Sequence, residues 1–106
     1  MGVYLVTWKL NPERADHDSA LAAFIERLEK YDYIHDEDFE TIYFIATPLS
    51  AGQVNADLHQ GLEPDDKVVI ARLTEHAYCG WLAQVMWDWI EERLDGGGGS
   101  ASTGSG

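Results

Sequence analysis

The chain has 106 residues, and its 19 acidic against 7 basic side chains give a formal net charge of −12 at pH 7. Nucleic acid is therefore disfavoured as a partner, because phosphate backbones are bound through lysine and arginine. The single cysteine, Cys79, excludes an intrachain disulfide and a cysteine zinc cluster.

The first residues lack the basic and apolar regions of a signal peptide. No apolar stretch approaches the roughly 20 residues that span a bilayer. We therefore expect a cytoplasmic protein without membrane contact. Residues 1–95 hold every charged side chain and are predicted to form a single domain, whereas residues 96–106, GGGGSASTGSG, are predicted to be a flexible Gly/Ser linker or fusion scar.

A strand is predicted over residues 3–10, with Val3 and Leu5 on one face and Tyr4, Val6 and Trp8 on the other. Thr7 also falls on the first face, and both faces are largely apolar, as in a strand that is covered on both sides. A helix is predicted over residues 19–30 from the apolar spacing of Leu21, Phe24, Ile25 and Leu28. Its N-terminus has three candidate caps, Asp16, Asp18 and Ser19.

The next ten residues, YDYIHDEDFE, are predicted to hold a short edge strand followed by an acidic turn. A further strand over residues 41–47 is again apolar on both faces, with Tyr43 and Ile45 on one of them. A domain this small is expected to have one layer of helices. The second face is therefore expected to be covered by another subunit, which predicts a homodimer.

Ser50 and Gln53 have the spacing of a capping box, with Leu49 and Val54 as a hydrophobic staple. This second helix is expected to end near Gly61 in a left-handed cap. A strand over residues 67–73 and a last helix over residues 80–94 complete the pattern. The apolar stripe of that helix comprises Trp81, Leu82, Val85, Met86, Trp89 and Ile90, and Trp87 points away from it as a candidate partner contact.

The predicted element order is β-α-β-β-α-β-α. This is the order of an α+β ferredoxin-like βαββαβ sandwich with an added C-terminal helix.

Four segments carry a resemblance to a known family: VYLVTWKLN, TIYFIATPLSAGQVNADL, DDKVVIARLT and GWLAQVMWDWI. Across residues 3–94 the chain resembles the SinR-like proteins, which are related to the CRISPR-associated Cas-two and VapD proteins. The resemblance implies a ferredoxin-like homodimer whose two sheets face each other. In the nuclease members, it also implies an aspartate at the end of the first strand that binds a divalent metal.

The position that matches this aspartate is Lys9. A charged lysine ammonium only donates hydrogen bonds and repels a cation such as Mg²⁺, which requires oxygen ligands. The nearest substitute carboxylate is Glu13, in the following loop. No catalytic residue and no metal or other cofactor is therefore predicted, and Mg²⁺ belongs only to the nuclease alternative.

Three functions remain open from the sequence. The first is a non-catalytic dimeric binding or scaffold module of Cas-two-like fold, and the second is a divalent-metal nuclease that uses other carboxylates. The third is an acidic mimic or inhibitor of a basic nucleic-acid-binding protein, which requires clustered rather than scattered charge. The segments HDEDFE and EPDD are the places to look for such a cluster. The predicted partner-binding residues are Trp87, Tyr43, Ile45, Asp36, Glu37, Asp38 and Glu40.

Overall fold

The computed structural model describes the backbone of residues 1–98 and the side chains of residues 1–94. The elements of this part of the chain follow the predicted order. They are β1 (Gly2–Lys9), α1 (His17–Leu28), β2 (Asp32–His35), β3 (Ile42–Thr47), α2 (Ala51–Leu58), β4 (Lys67–Leu73) and α3 (Gln84–Gly98).

The strands form one antiparallel sheet in the order β2-β3-β1-β4. Helix α1 joins β1 to β2 across the intervening β3, and α2 joins β3 to β4 across the intervening β1. This interleaved pairing is the ferredoxin-like arrangement. The predicted α+β ferredoxin-like fold with an added C-terminal helix is confirmed.

The first layer of helices covers the sheet face that carries Tyr4, Val6 and Trp8. Helices α1 and α2 pack four fully or almost fully buried side chains against this face: Phe24, Leu28, Val54 and Leu58. The Tyr4 hydroxyl also donates a hydrogen bond of 2.7 Å to the Leu49 carbonyl. The larger core of the protein therefore lies between the sheet and these two helices.

The second sheet face is covered in part by α3. Met86 and Ile90 of α3 are buried against Val3, Phe44 and Ala46. Arg93 fixes the helix to the edge strand β2, because its Nε donates to Asp32 Oδ2 at 2.7 Å. Its guanidinium also lies 4.1 Å from the centre of the Trp89 ring. Strand β1 is therefore buried on the α1–α2 side along its length, whereas on the α3 side it is covered only at its start, so the predicted coverage of both faces is met in part within a single chain.

This arrangement corrects the premise that another subunit must cover Tyr43 and Ile45. Their side chains are 3% and 0% exposed and lie in the core formed with α1 and α2. The Tyr43 hydroxyl donates to Glu29 Oε2 at 2.7 Å, and burial together with this hydrogen bond raises the pKa of Tyr43. Both residues are therefore internal contacts in this chain. The error arose because β3 is apolar on both faces and α3 was not expected to form a second layer.

The helix starts follow local hydrogen bonding. The capping box of α2 is confirmed, since Gln53 N donates to Ser50 Oγ at 3.1 Å and Ser50 N donates to Gln53 Oε1 at 2.9 Å. Gly61 has the predicted left-handed backbone, with φ of 81°. Helix α1 begins two residues earlier than predicted. Asp16 occupies its N-cap position without a side-chain cap bond, because its carboxylate binds Arg14 instead.

The last helix begins at Gln84, four residues later than predicted. The preceding segment folds back along α3, where Tyr78 stacks on Trp87 with ring centres 5.7 Å apart. Trp81 was expected in the core but is 97% exposed, and Val85 of the predicted stripe is also exposed. Trp89 is partly buried, as Leu82 is.

Helix α3 extends to Gly98, three residues into the stretch predicted to be a linker. The rest of that stretch, residues 99–106, lies outside the described residues. Within residues 1–98, no helix combines the length and apolar content needed to cross a membrane.

Candidate functional site

Three connections of the fold emerge at one end of the sheet. At this end β1 finishes and β4 begins, with Lys9 paired to Lys67, and β3 begins beside Thr7. The β1–α1 connection (residues 10–16), the β2–β3 connection (residues 36–41) and the α2–β4 connection (residues 59–66) therefore meet there. The antiparallel topology places them together although they are far apart in the sequence.

These connections and the first turn of α1 gather ten of the nineteen carboxylates, a set that we call the acidic end. Its members are Glu13, Asp16, Asp18, Asp36, Glu37, Asp38, Glu40, Glu63, Asp65 and Asp66. The predicted acidic segments HDEDFE and EPDD both contribute to it. The charge is therefore clustered rather than scattered.

The β2–β3 connection presents its carboxylates to solvent on a hydrogen-bonded turn. Asp36 Oδ1 accepts from the Asp38 N–H at 2.9 Å, and the Asp36 carbonyl accepts from the Phe39 N–H at 2.9 Å. Glu37, Asp38 and Glu40 are exposed, and Asp36 is half-buried. The turn fixes the backbone while the outer carboxylates stay available to a partner.

A buried ion pair ties two of the acidic connections together. The side chain of Arg14 is 6% exposed and pairs with the side chain of Asp66, which is 0% exposed. Asp66 also accepts from the Asn11 N–H at 2.7 Å and the Glu63 N–H at 2.8 Å. Burial alone would raise the pKa of Asp66, but these N–H donors and Arg14 outweigh it and lower the pKa.

No spacing in the sequence predicts this cluster, because Arg14 and Asp66 are 52 residues apart. Arg14 also contacts Asp16 at 2.8 Å and Glu63 at 3.5 Å. Its charge is therefore engaged within the acidic end and is not presented to a partner. Lys9 and Lys67 are the exposed cations at this end of the sheet in the described part of the chain.

The candidate metal position has a cationic environment. Lys9 is exposed at the end of β1, and its paired residue on β4 is a second lysine, Lys67. Glu13 is exposed in the following connection, where its N–H donates to Asn11 Oδ1 at 3.1 Å. Among the residues that the structure describes, no three histidine, cysteine, aspartate or glutamate side chains form a group that could hold a metal ion.

A second candidate surface lies on the α3 side of the sheet. Helix α3 covers the start of β1 but leaves Leu5, Thr7 and Ile42 half-buried and Val69 58% exposed. We call these four residues the open sheet face. Beside them lies an apolar cleft of about 240 Å³ that is lined by Leu5, Ile42, Trp81 and Trp87, among others. Trp87 is half-buried here rather than projecting freely into solvent.

Comparisons of the chain with protein-family models, with curated proteins and with solved structures found no match.

Proposed function

We propose that the chain is a non-catalytic, cytoplasmic binding module that engages a basic protein partner through its acidic end. The observation that carries this proposal is the convergence of three acidic connections at one end of the sheet. The turn that holds residues 36–40 supplies three exposed carboxylates, those of Glu37, Asp38 and Glu40. This proposal combines the binding module with the acidic mimic, the two non-catalytic functions that the sequence left open.

The carboxylates of the acidic end act together because their electrostatic fields add. Salt at about 0.1–0.15 M screens charges over roughly 8–10 Å, so carboxylates gathered at one end of the sheet reinforce one another's fields more than scattered carboxylates do. Such a field accelerates association with a basic protein and repels a phosphate backbone. Arg14 is already paired, and among the described residues Lys9 and Lys67 are the exposed cations that oppose this field at the sheet end.

The test is a charge-matched comparison. The triple variant Asp36→Asn, Asp38→Asn, Glu40→Gln removes three charges from the acidic end. The control Glu26→Gln, Glu75→Gln, Glu91→Gln removes three exposed charges from other surfaces. Binding of a fluorescent lysine- and arginine-rich peptide is measured by anisotropy at two salt concentrations.

We expect the acidic-end variant to weaken binding by about tenfold at low salt and the control by about twofold, since nearby charge pairs dominate. Equal weakening by both variants would show that only the net charge matters and would contradict the proposal.

The metal-dependent nuclease is the less favoured alternative, with Mg²⁺ as its cofactor and Glu13 as its first candidate ligand. Metal-assisted cleavage requires an ion that activates water and stabilises charge on the phosphate. Lys9 opposite Lys67 is poorly suited to hold a cation, and the acidic end repels a nucleic-acid substrate.

Homodimerisation through the open sheet face is a second proposal. It is supported by exposed Val69 and half-buried Leu5 and Ile42, which surround Thr7 on the open sheet face, because clustered apolar surface is typical of interfaces. It also agrees with the sheet-to-sheet dimer that the resemblance to the SinR-like proteins implies. The two proposals use different surfaces, so one chain can serve both.

A further inference from the structure

An apolar cleft of about 490 Å³ opens within the acidic end. Its floor is formed by the end of β1 with Trp8 and Leu10, and one wall is α1. The opposite wall is the junction of β2 with the acidic turn, where His35 and Glu40 lie. The cleft therefore separates two of the three acidic connections.

The wall on α1 follows from helical spacing. His17, Leu21 and Ile25 are four residues apart, so they share one face of the helix. Phe24 and Leu28 point into the core, whereas Leu21 and Ile25 are only half-buried. The apolar stripe of α1 is thus wider than the surface that the sheet covers. Leu21 and Ile25, at the edge of this stripe, line the cleft.

We infer that this cleft binds one bulky apolar side chain, aromatic or long aliphatic, from a basic segment of a protein partner. The inference rests on the proposed function and names how the partner is held. The apolar floor and walls supply a pocket for the anchor, and a few deeply inserted side chains usually carry most of the energy of an interface.

Charge complementarity selects the residues that flank the anchor. Glu40 lies on the cleft wall, and Glu13 and Asp18 directly follow two other lining residues, Pro12 and His17. Asp18 contacts the His17 imidazole at 3.2 Å. Lysine or arginine on either side of the anchor would face these carboxylates. Lys9 is the one lining cation among the described residues and opposes such a segment.

The size of the cleft agrees with this occupant. A volume of about 490 Å³ lies within the range of roughly 300–1,000 Å³ that is typical of ligand pockets. An aromatic side chain that enters it can bury roughly 150–250 Å² of surface. The cleft accepts a single large side chain with its neighbours, rather than the whole face of a helix.

The test uses two peptides of equal charge, acetyl-Lys-Arg-Trp-Arg-Lys-amide and the same peptide with serine in place of tryptophan. Affinities for the full chain are measured by calorimetry at low salt. We expect the tryptophan peptide to bind about tenfold more tightly, because the anchor adds apolar burial to the same charge attraction. In NMR spectra of the full chain, it should also shift the indole N–H signal of Trp8.

Two variants locate the contact. Leu21→Ser removes part of the apolar wall and should abolish the preference for tryptophan, whereas Ala22→Ser, exposed beside it on α1, should not. Lys9→Glu should tighten binding of both peptides about threefold or more, because it replaces an opposing cation with a carboxylate. This gain does not depend on damage to the fold.

The outcomes separate the two proposals. Equal binding of both peptides, unchanged by Leu21→Ser, would overturn the anchor cleft and leave the basic partner standing. The tryptophan peptide could instead bind more tightly than the serine peptide while neither Lys9→Glu nor Leu21→Ser changes its affinity. That result would place the anchor elsewhere and overturn the inference. If neither peptide binds, this inference and the proposed function are both overturned.

Discussion

At the scale of single residues, the identity of one side chain at the end of β1 determines which chemistry is available there. Lys9 supplies a hydrogen-bond donor where a metal site requires an oxygen ligand. Its pairing with Lys67 adds a second positive charge on the neighbouring strand. The sequence identified Lys9 as the position to examine, but Lys67 became its neighbour only through the register of β1 and β4.

The first prediction concerns Lys9→Asp. The unmodified chain is expected to show no Mg²⁺-dependent cleavage of RNA or DNA. The variant is expected to bind Mn²⁺ about tenfold more tightly, since it gains a carboxylate and loses a repelling cation. Calorimetry measures binding, and gel assays measure cleavage.

The control for this experiment is Lys9→Asn, which removes the positive charge without adding a carboxylate. It should fall between the unmodified chain and the aspartate variant in Mn²⁺ affinity. Cleavage by the unmodified chain that requires Mg²⁺ and stops with EDTA would support the nuclease alternative, and Glu13 would become the first residue to substitute.

At the scale of elements, patterns with a local cause were predictable. The capping box of α2, the alternation along β1 and the left-handed Gly61 depend on residues a few positions apart, and all three are present. The burial of Tyr43, the exposure of Trp81 and the pairing of Arg14 with Asp66 depend on which elements meet in space. Spacing within one segment does not contain that information.

The same distinction holds for the candidate site. The acidic segments HDEDFE and EPDD could be found in the sequence, because runs of carboxylates are visible without a structure. Their convergence required the antiparallel strand order. The anchor cleft was not predicted, since Leu21 and Ile25 have the same spacing pattern as the core residues Phe24 and Leu28. Their half-burial is explained by the cleft between α1 and the junction of β2 with the acidic turn, which they line.

The second prediction concerns Asp66→Asn, which weakens the link between the β1–α1 and α2–β4 connections. At pH 7 the substitution should lower the free energy of unfolding by about 2 kcal/mol, because N–H donors and a buried guanidinium lose a charged acceptor. Urea unfolding at several pH values measures this effect.

The pH dependence gives a sharper test of the same ion pair. The pKa of Asp66 is lowered in the folded state from an unfolded value of about 3.9. Its contribution is therefore present above about pH 4 and is lost as the pH falls toward the folded pKa. The difference between the two proteins should shrink over that range. The exposed neighbour Asp65→Asn is the control, and a difference that stays constant below pH 4 would contradict the assignment.

At the scale of the whole molecule, the acidic end and the open sheet face are two different surfaces. The carboxylates concentrate at one end of the sheet, and the open sheet face lies between this end and α3. The net charge of −12 opposes association of two copies, whereas burial of apolar surface favours it. Salt screens the first effect, and moderate NaCl leaves the second largely intact. Association of this chain with itself should therefore respond to salt in the opposite direction from its binding to a basic peptide.

The third prediction follows from this difference. Sedimentation equilibrium at micromolar concentration should show a homodimer whose association strengthens when NaCl is raised from low to moderate concentration, because screening reduces the repulsion between two acidic chains. Val69→Lys should weaken association about tenfold or more, since it places a charge within the apolar contact. Val85→Lys is the matched control, because Val85 is similarly exposed but lies on α3 outside the open sheet face.

A chain that remains monomeric at every protein and salt concentration would contradict the dimer. Association that weakens with salt would instead indicate an attractive contact between the acidic end and the Lys9–Lys67 pair of another copy.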